Sequence, residues 1–198
     1  MAQRGETRRR IVETTAALLQ RQGLNGTGLV QVLEESGAPR GSLYFHFPGG
    51  KEELTIEAVG YSREVVLGWL RKSLDAHPVP ADALADIAER YARRLERSDF
   101  REGCPIAAVA LEGTPVSERL RQASESALAA WETLLTEYLE SHGVGAGRAR
   151  PLATGFLCSL EGALMLGRAR RSADPMRAVA AQFRALLPAE GPESAARR

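Results

Sequence analysis

The sequence predicts an all-α protein of about nine helices, with a small N-terminal head built from about three of them and a larger helical body behind it. Three observations predict this. Apolar residues recur at spacings of three and four along nearly the whole chain. Sustained period-two alternation is missing and β-branched residues are scarce, so no strand is expected. Glycine and proline interrupt the periodic segments at Gly23, Gly37, Pro48 to Gly50, Pro78 and Pro80, and the run Gly143, Gly145 and Gly147.

The first helix is expected from about Thr7 to Gln22, with Ile11, Ala17, Leu18 and Leu19 on its apolar side and Gly23 as its stop. Thr27 is placed to cap a second helix starting near Gly28, in which Leu29, Val32 and Leu33 face inward. Ser36 and Gly37 end it. A third helix is expected from Ala38–Pro39, because proline is tolerated in a first turn, and it closes near Phe47 before Pro48. So short a helix is not stable alone in water and must be held through Leu43 and Phe47. A long helix follows from Lys51 to about His77, with Leu54, Ala58, Tyr61, Val65 and Trp69 as its buried stripe. At ~1.5 Å per residue it is about 35 Å long, enough to join a head to a body.

The body reads as further helices over 82–98 (Leu84, Ile87, Ala88, Tyr91 and Leu95 inward), 104–112, 116–141, 148–171 and from Asp174 or Pro175 to Leu187. The helix over 116–141 carries Leu120, Ala127, Leu128, Trp131, Leu134, Leu135, Tyr138 and Leu139 as its apolar residues. The division expected is a helix-turn-helix head over 1–50, a body over 51–188 and a polar tail over 189–198 that is expected to be disordered.

Composition excludes several classes of function. With 198 residues, 44% hydrophobic and 26% charged, the chain suits an ordinary globular protein with a sizeable core. Net charge is only +1, so any basic surface must be local. The N-terminal stretch supplies one, with Arg4, Arg8, Arg9, Arg10, Arg21, Arg40 and Lys51 against Glu6, Glu13, Glu34 and Glu35. The two cysteines, Cys104 and Cys158, form neither a metal spacing nor a disulfide framework, and read as buried thiols in a reducing compartment. No apolar run approaches the ~20 residues of a membrane span. The N-terminal arginines are followed by no apolar signal region, so a cytoplasmic protein is expected. His46, His77 and His142 have no metal-like or triad-like partner in sequence, and no glycine elbow or phosphate loop occurs. No enzymatic activity, metal or cofactor is expected.

The stretch that carries chemistry is GAPRGSLYFHFPGGKEEL, residues 37 to 54. With the helix before it, it has the shape of a helix-turn-helix, whose second helix lies in the major groove of DNA. With Leu43 and Phe47 inward, Arg40, Gly41, Ser42 and Tyr44 are left outward or flanking. Arg40 is the best base reader, because a guanidinium donates two hydrogen bonds to guanine. Ser42 suits either kind of base, and Gly41 lets the backbone approach closely. Tyr44 and His46 suit phosphates, which position without specifying. Lys51 opposes the helix dipole in its first turn. A phosphate bound there explains it, and so does a simply solvated lysine.

The segment LLQRQGLNGTGLVQVLEESGAPRGSLYFHFPGGKEEL resembles the DNA-binding region of TetR-family transcriptional regulators over roughly residues 7 to 60. The Gly37 turn, the run Leu43 to Phe47 and the helix start Lys51 to Leu54 occur together and in order. The doubled Gly49–Gly50 is one residue longer than the commoner turn. It resembles the LmrA/YxaF-like branch, as do GCPIAAVALE (103–112) and SLEGALMLGRARRSADPM (159–176). The resemblance implies a homodimer that binds a palindromic operator and releases it when a small-molecule effector occupies the C-terminal domain. By position it places Arg40, Gly41 and Ser42 at bases, and Thr27, Tyr44, His46 and Lys51 at phosphates.

A single recognition helix reads few base pairs, so two heads spaced ~34 Å or a multiple of that are needed, and with them a dimer surface. The last two helices offer Phe156, Ser159, Leu160, Ala163, Leu164, Val179 and Phe183. On the residues alone these suit intramolecular core as well as a partner; the resemblance favours an interface. The large aromatics of the body suit core as well as a ligand cage. The resemblance selects Trp69, Tyr91, Cys104, Trp131 and Phe156 as pocket residues, and a pocket poor in charge implies an apolar or aromatic effector. Arg90, Arg93, Arg94 and Arg97, beside Glu89 and Glu96, read as a solvated face. The alternative is an all-α dimeric ligand-binding or scaffold protein that has lost DNA binding. The presence of Arg40, Tyr44, His46 and Lys51 together speaks against it.

Overall fold

The computed structural model describes residues 2–187, so the tail expected over 189–198 lies outside the described residues. Nine helices are found there: α1 (Ala2–Gly26), α2 (Leu29–Ser36), α3 (Ser42–His46), α4 (Gly50–Asp75), α5 (Pro80–Arg97), α6 (Pro105–Gly113), α7 (Glu118–Ser141), α8 (Ala146–Arg170) and α9 (Asp174–Leu186). No strand occurs among the described residues. The chain forms two compact units. One comprises the residues up to Val65 with Cys104–Leu128; the other comprises Val66–Gly103 and the chain from Ala129. The head expected over residues 1–50 lies inside the first unit.

The first unit is organised by a small apolar core. Ile11, Val12 and Leu18 of α1, Val32 of α2, Ala38, Leu43 and Phe47 around α3, and Leu54 of α4 are buried together, with Leu29 and Leu33 packed against them. Ala17 is exposed, so the apolar face of α1 is narrower than the sequence suggests. α1 continues past its expected stop, but Gly23 kinks it at φ 76°, ψ −179°, a conformation that residues with a Cβ rarely adopt. Glu112 of α6 closes the kink: its carboxylate accepts the Asn25 amide at 2.7 Å. A Cβ added at Gly23 would meet Glu112 Oε1.

α2 ends as its glycine predicts. Gly37 is left-handed at φ 63°, its N–H returns to the Glu34 carbonyl, and the Ala38 N–H reaches back to Leu33 at 3.1 Å. Thr27 does not cap α2. Gly28 is the N-cap, and the buried Thr27 hydroxyl donates to the Gly23 carbonyl at 2.6 Å. α3 starts later than its proline suggests. The Ser42 amide and hydroxyl both donate to the Pro39 carbonyl, at 2.9 and 2.6 Å, so Pro39–Arg40–Gly41 form a turn and only five residues are helical.

In α4 the buried line runs through Leu54, Ala58, Ser62, Val66, Leu70 and Leu74. Tyr61 and Val65, expected inside, are exposed. Both tracks have helical spacing. The true one is disguised by Ser62, whose hydroxyl is satisfied by the Ala58 carbonyl at 2.8 Å.

In the second unit α5 packs on α9 and α8, and α8 on α9. Leu84, Ile87, Ala88, Ala92 and Leu95 form the buried face of α5. Phe156 and Phe183 meet edge to face at 4.9 Å. Phe156, Leu160, Ala163, Leu164, Val179 and Phe183, expected at a dimer interface, are therefore buried within the protomer; only Ser159 of that set is partly exposed. Their apolar periodicity reports burial, and the neighbouring helices of the same chain supply it. The cysteines also depart from expectation: Cys104 is half-buried and Cys158 exposed.

Gly23→Ala should lower stability by about 1–3 kcal/mol through the glycine-only backbone conformation. Gly60→Ala, in open space on α4, should be neutral or stabilise by up to about 1 kcal/mol. Urea unfolding midpoints of the two variants check this; equal midpoints would contradict the role given to Gly23.

Candidate nucleic-acid interface

α3 is a short platform fixed from beneath. Leu43 and Phe47, four residues apart, are 1% and 0% exposed. That spacing turns the intervening residues outward. Tyr44 is 66% and Phe45 63% exposed, and His46 is half-buried with its ring 5.0 Å from that of Phe45. Arg40 and Gly41 are exposed on the turn that leads into α3, and Ser42 is partly exposed with its hydroxyl held by Pro39. The expected base readers are thus contiguous, but Arg40 and Gly41 approach from a turn rather than from the helix. Thr27 is turned inward and does not join this surface.

The start of α4 adjoins it. Gly50 is left-handed at φ 66°, and a Cβ there would lie 3.6 Å from the Tyr44 ring. The Gly49 N–H donates to the Glu53 carboxylate, four residues on, at 2.7 Å. Lys51 is half-buried. Burial pushes its ammonium below the ordinary lysine value, and the nearby Glu112 carboxylate opposes that shift. Glu52 turns away from the surface and accepts from the Ser117 hydroxyl and from Arg119 at 2.8 Å.

The basic N-terminal patch is thinner than its residue count implies. Arg8 pairs with Glu57 at 2.8 Å and lies over the Phe47 ring. Arg9 bonds Glu6 and Glu13, and Arg21 bonds Glu35. Of the described cations in this patch, Arg10 and Arg40 are exposed without an ion-pair partner. These, with Lys51, are the cations free to meet a phosphate or a base. Sequence reading missed Phe45 and Glu112. The Leu43–Phe47 spacing held the signal for Phe45, whereas nothing local marks Glu112, which is 87 residues from the amide it binds.

The expected pocket residues divide. Trp69 and Tyr91 are half-buried, meet edge to face at 5.1 Å, and line an open recess of about 220 Å³ with Arg90, Arg93, Arg94 and Arg97. The arginines read as a solvated face therefore line the recess, and it is not poor in charge. Trp131 and Phe156 are core side chains at 2% and 0% exposure. Cys104 caps α6, its sulfur accepting the Ala107 N–H at 3.4 Å. Among the described residues no cluster of three His, Cys, Asp or Glu side chains is placed to hold a metal ion, and no helix is long and apolar enough to cross a membrane.

Residues 11–58 match the family described as bacterial regulatory proteins, tetR family. Residues 80–182 match the C-terminal domain of LmrA/YxaF-like transcriptional regulators. An HTH-type transcriptional regulator of Mycobacterium tuberculosis, Rv0196, is 40% identical over 191 residues, 94% of this chain and 96% of its own. YxaF of Bacillus subtilis, likewise an HTH-type transcriptional regulator, is 34% identical over 191 residues, 96% of this chain and 100% of its own. Among solved structures, the TetR-family regulator CifR in complex with a 26-base-pair operator superposes with a TM-score of 0.76 at 24% identity, over 90% of this chain and 95% of that one.

The Lys51 ammonium should titrate below an ordinary lysine, and Glu112→Gln should lower it further by removing the carboxylate that favours the charged form. A base depressed by burial costs stability while protonated, so this contribution improves as pH rises from the depressed value toward the ordinary one. NMR titration of the lysine side chains in the two proteins checks the order; a higher Lys51 value in Glu112→Gln would contradict it.

Proposed function

The chain belongs to the TetR family of bacterial transcriptional regulators, in its LmrA/YxaF-like branch, and from that membership we propose that it is a ligand-responsive repressor. It acts in the cytoplasm as a homodimer on a palindromic operator, and a small apolar or aromatic effector releases it. The observation that carries the reading is the exposed run Arg40, Gly41, Tyr44 and Phe45 on a turn and helix clamped by Leu43 and Phe47. The operator complex of CifR supports carrying DNA binding to this head.

Arg40 reads a base edge, with Gly41 admitting the backbone and Ser42 flanking. Tyr44, His46 and Lys51 hold phosphates, Lys51 together with the free N–H groups of the first turn of α4. The surface for a second copy is the line left exposed on α8, which includes Cys158, Met165 and Leu166, with Leu186 of α9. α4 contributes residues to both compact units, and a shift of this helix on effector binding changes the spacing of the two recognition helices. Taking operator occupancy from about 99% to about 1% requires the effector to favour the released state by about 5.5 kcal/mol.

Fluorescence anisotropy with the DNA upstream of the protein's own gene, at two salt concentrations, tests the reading. Tight binding that survives nonspecific competitor is expected. Equal binding to any duplex, and only at low salt, would overturn it. In the same assay Arg40→Ala should relax preference at one base position by about 1–3 kcal/mol, whereas Lys51→Ala and Tyr44→Phe should weaken all duplexes alike, with Lys51→Ala lowering the salt slope by about 1. The reverse pattern would exchange the roles.

Met165→Glu places a charge on the exposed line of α8. It should yield a monomer by light scattering, with helical content unchanged, and weaken operator binding. A variant that remains dimeric would move the interface elsewhere.

A further inference from the structure

The recess beside Trp69 has an unusual wall. Arg90, Arg93, Arg94 and Arg97 stand at i, i+3, i+4 and i+7 on α5, so four like charges share one helix face. Such spacing costs a few tenths of a kcal/mol for each unrelieved pair. Relief is uneven. Arg90 Nε donates to Asp86 at 2.7 Å and Arg94 Nε to Glu102 at 2.8 Å. Arg93 reaches Asp86 and Glu89 only at 3.8 and 3.7 Å, and Glu89 is shared with Arg177 at 3.8 Å. Arg97 is exposed and has no ion-pair partner among the described residues. A second recess is lined by Arg94, Arg97, Ser98 and Glu102, so Arg94 and Arg97 border both. The acidic groups thus hold two guanidiniums firmly and leave Arg93 and Arg97 with capacity for an anion.

Two aromatic side chains complete the lining, Tyr91 from α5 itself and Trp69 from α4. Trp69 and Tyr91 keep their edge-to-face contact while remaining half-exposed, which leaves ring surface open to the recess. At about 220 Å³ the space is below the ~300–1,000 Å³ of sites for drug-sized ligands, so one or two fused rings fit. We propose that this recess binds a planar aromatic carboxylate, with its ring on Trp69 and Tyr91 and its carboxylate on Arg97 and Arg93. The guanidinium fork matches a carboxylate in two parallel hydrogen bonds. A neutral aromatic leaves the arginines unanswered, and an inorganic anion leaves the rings unused. Naming this class as the effector rests on the ligand-responsive reading above; occupancy of the recess does not require DNA.

Calorimetric titration of the full chain with 2-naphthoate and with its uncharged counterpart 2-naphthamide tests the inference. One naphthoate per chain is expected, bound at least about tenfold more tightly than the amide. Arg97→Gln changes an exposed side chain without an ion-pair partner and leaves folding intact; it should weaken naphthoate about tenfold and remove most of the preference for the acid. Arg148→Gln, exposed on α8, should leave binding unchanged. Absence of naphthoate binding, equal binding of acid and amide, or an equal loss in Arg148→Gln would overturn the proposal. Operator release is read separately by anisotropy. Naphthoate that fills the recess in an Arg97-dependent way and leaves DNA bound upholds the site and refutes its effector role.

Discussion

The burial of Leu43 and Phe47 is the contact on which the candidate DNA-binding surface depends. α3 has five residues, and a helix that short cannot pay its own nucleation cost. Its geometry is imposed by Ile11, Val12 and Leu18 from α1, Val32 from α2 and Leu54 from α4, which close around the two inward side chains. Every outward residue inherits its direction from that contact. Tyr44 and Phe45 are exposed because Leu43 and Phe47 are not. Arg8 adds a lid: its guanidinium stacks over Phe47 while it pairs with Glu57, so one of the N-terminal arginines serves the core rather than the surface.

A second constraint comes from α6 and the start of α7. Glu112 holds the irregular end of α1 through the Asn25 amide and lies near enough to Lys51 to favour its charged form. Glu52, the residue after Lys51, is held by Ser117 and Arg119. One carboxylate thus bears on both the end of α1 and the candidate phosphate lysine, and the next link ties the first turn of α4 to the beginning of α7. Displacement of α6 in this unit changes the kink at Gly23 and the field at Lys51 together, which is the kind of shared dependence that energetic coupling requires.

Much of this was legible in the sequence, and the failures have physical causes. The helices announce themselves because apolar periodicity and glycine or proline breaks agree at nearly every junction. The buried pair Leu43 and Phe47, and hence the exposed Tyr44, follow from spacing alone. The start of α3 was misread because proline favours a first helical turn, whereas the Ser42 hydroxyl competes for the Pro39 carbonyl and makes a turn instead. The face of α4 was misread because Ser62 lies on the buried line with its hydroxyl satisfied locally. The residues of α8 and α9 expected at an interface are buried within the protomer, and the reason lies in what periodicity reports. Periodicity marks a side chain as covered and is silent on whether the cover is the same chain or another; Phe156 and Phe183 cover each other. Glu112 left no local trace, since its partners are distant in sequence.

The arginine face of α5 is not what stabilises the second unit. The opposite face buries Leu84, Ile87, Ala88, Ala92 and Leu95 against its neighbours, and each large apolar side chain so buried contributes on the order of 1.5–3 kcal/mol. The polar links around it are exposed pairs, among them Arg177 with Glu96, Arg171 with Asp99 and Arg184 with Asp82, each worth roughly 0–1 kcal/mol. Hydrophobic burial therefore fixes where α5 lies, and its outer charges are nearly free to vary. A helix held by its apolar face would lose little by alternating sign along the other. This one instead sets four arginines beside two half-exposed aromatic rings. Stability does not ask for that arrangement, and recognition of a planar anion does.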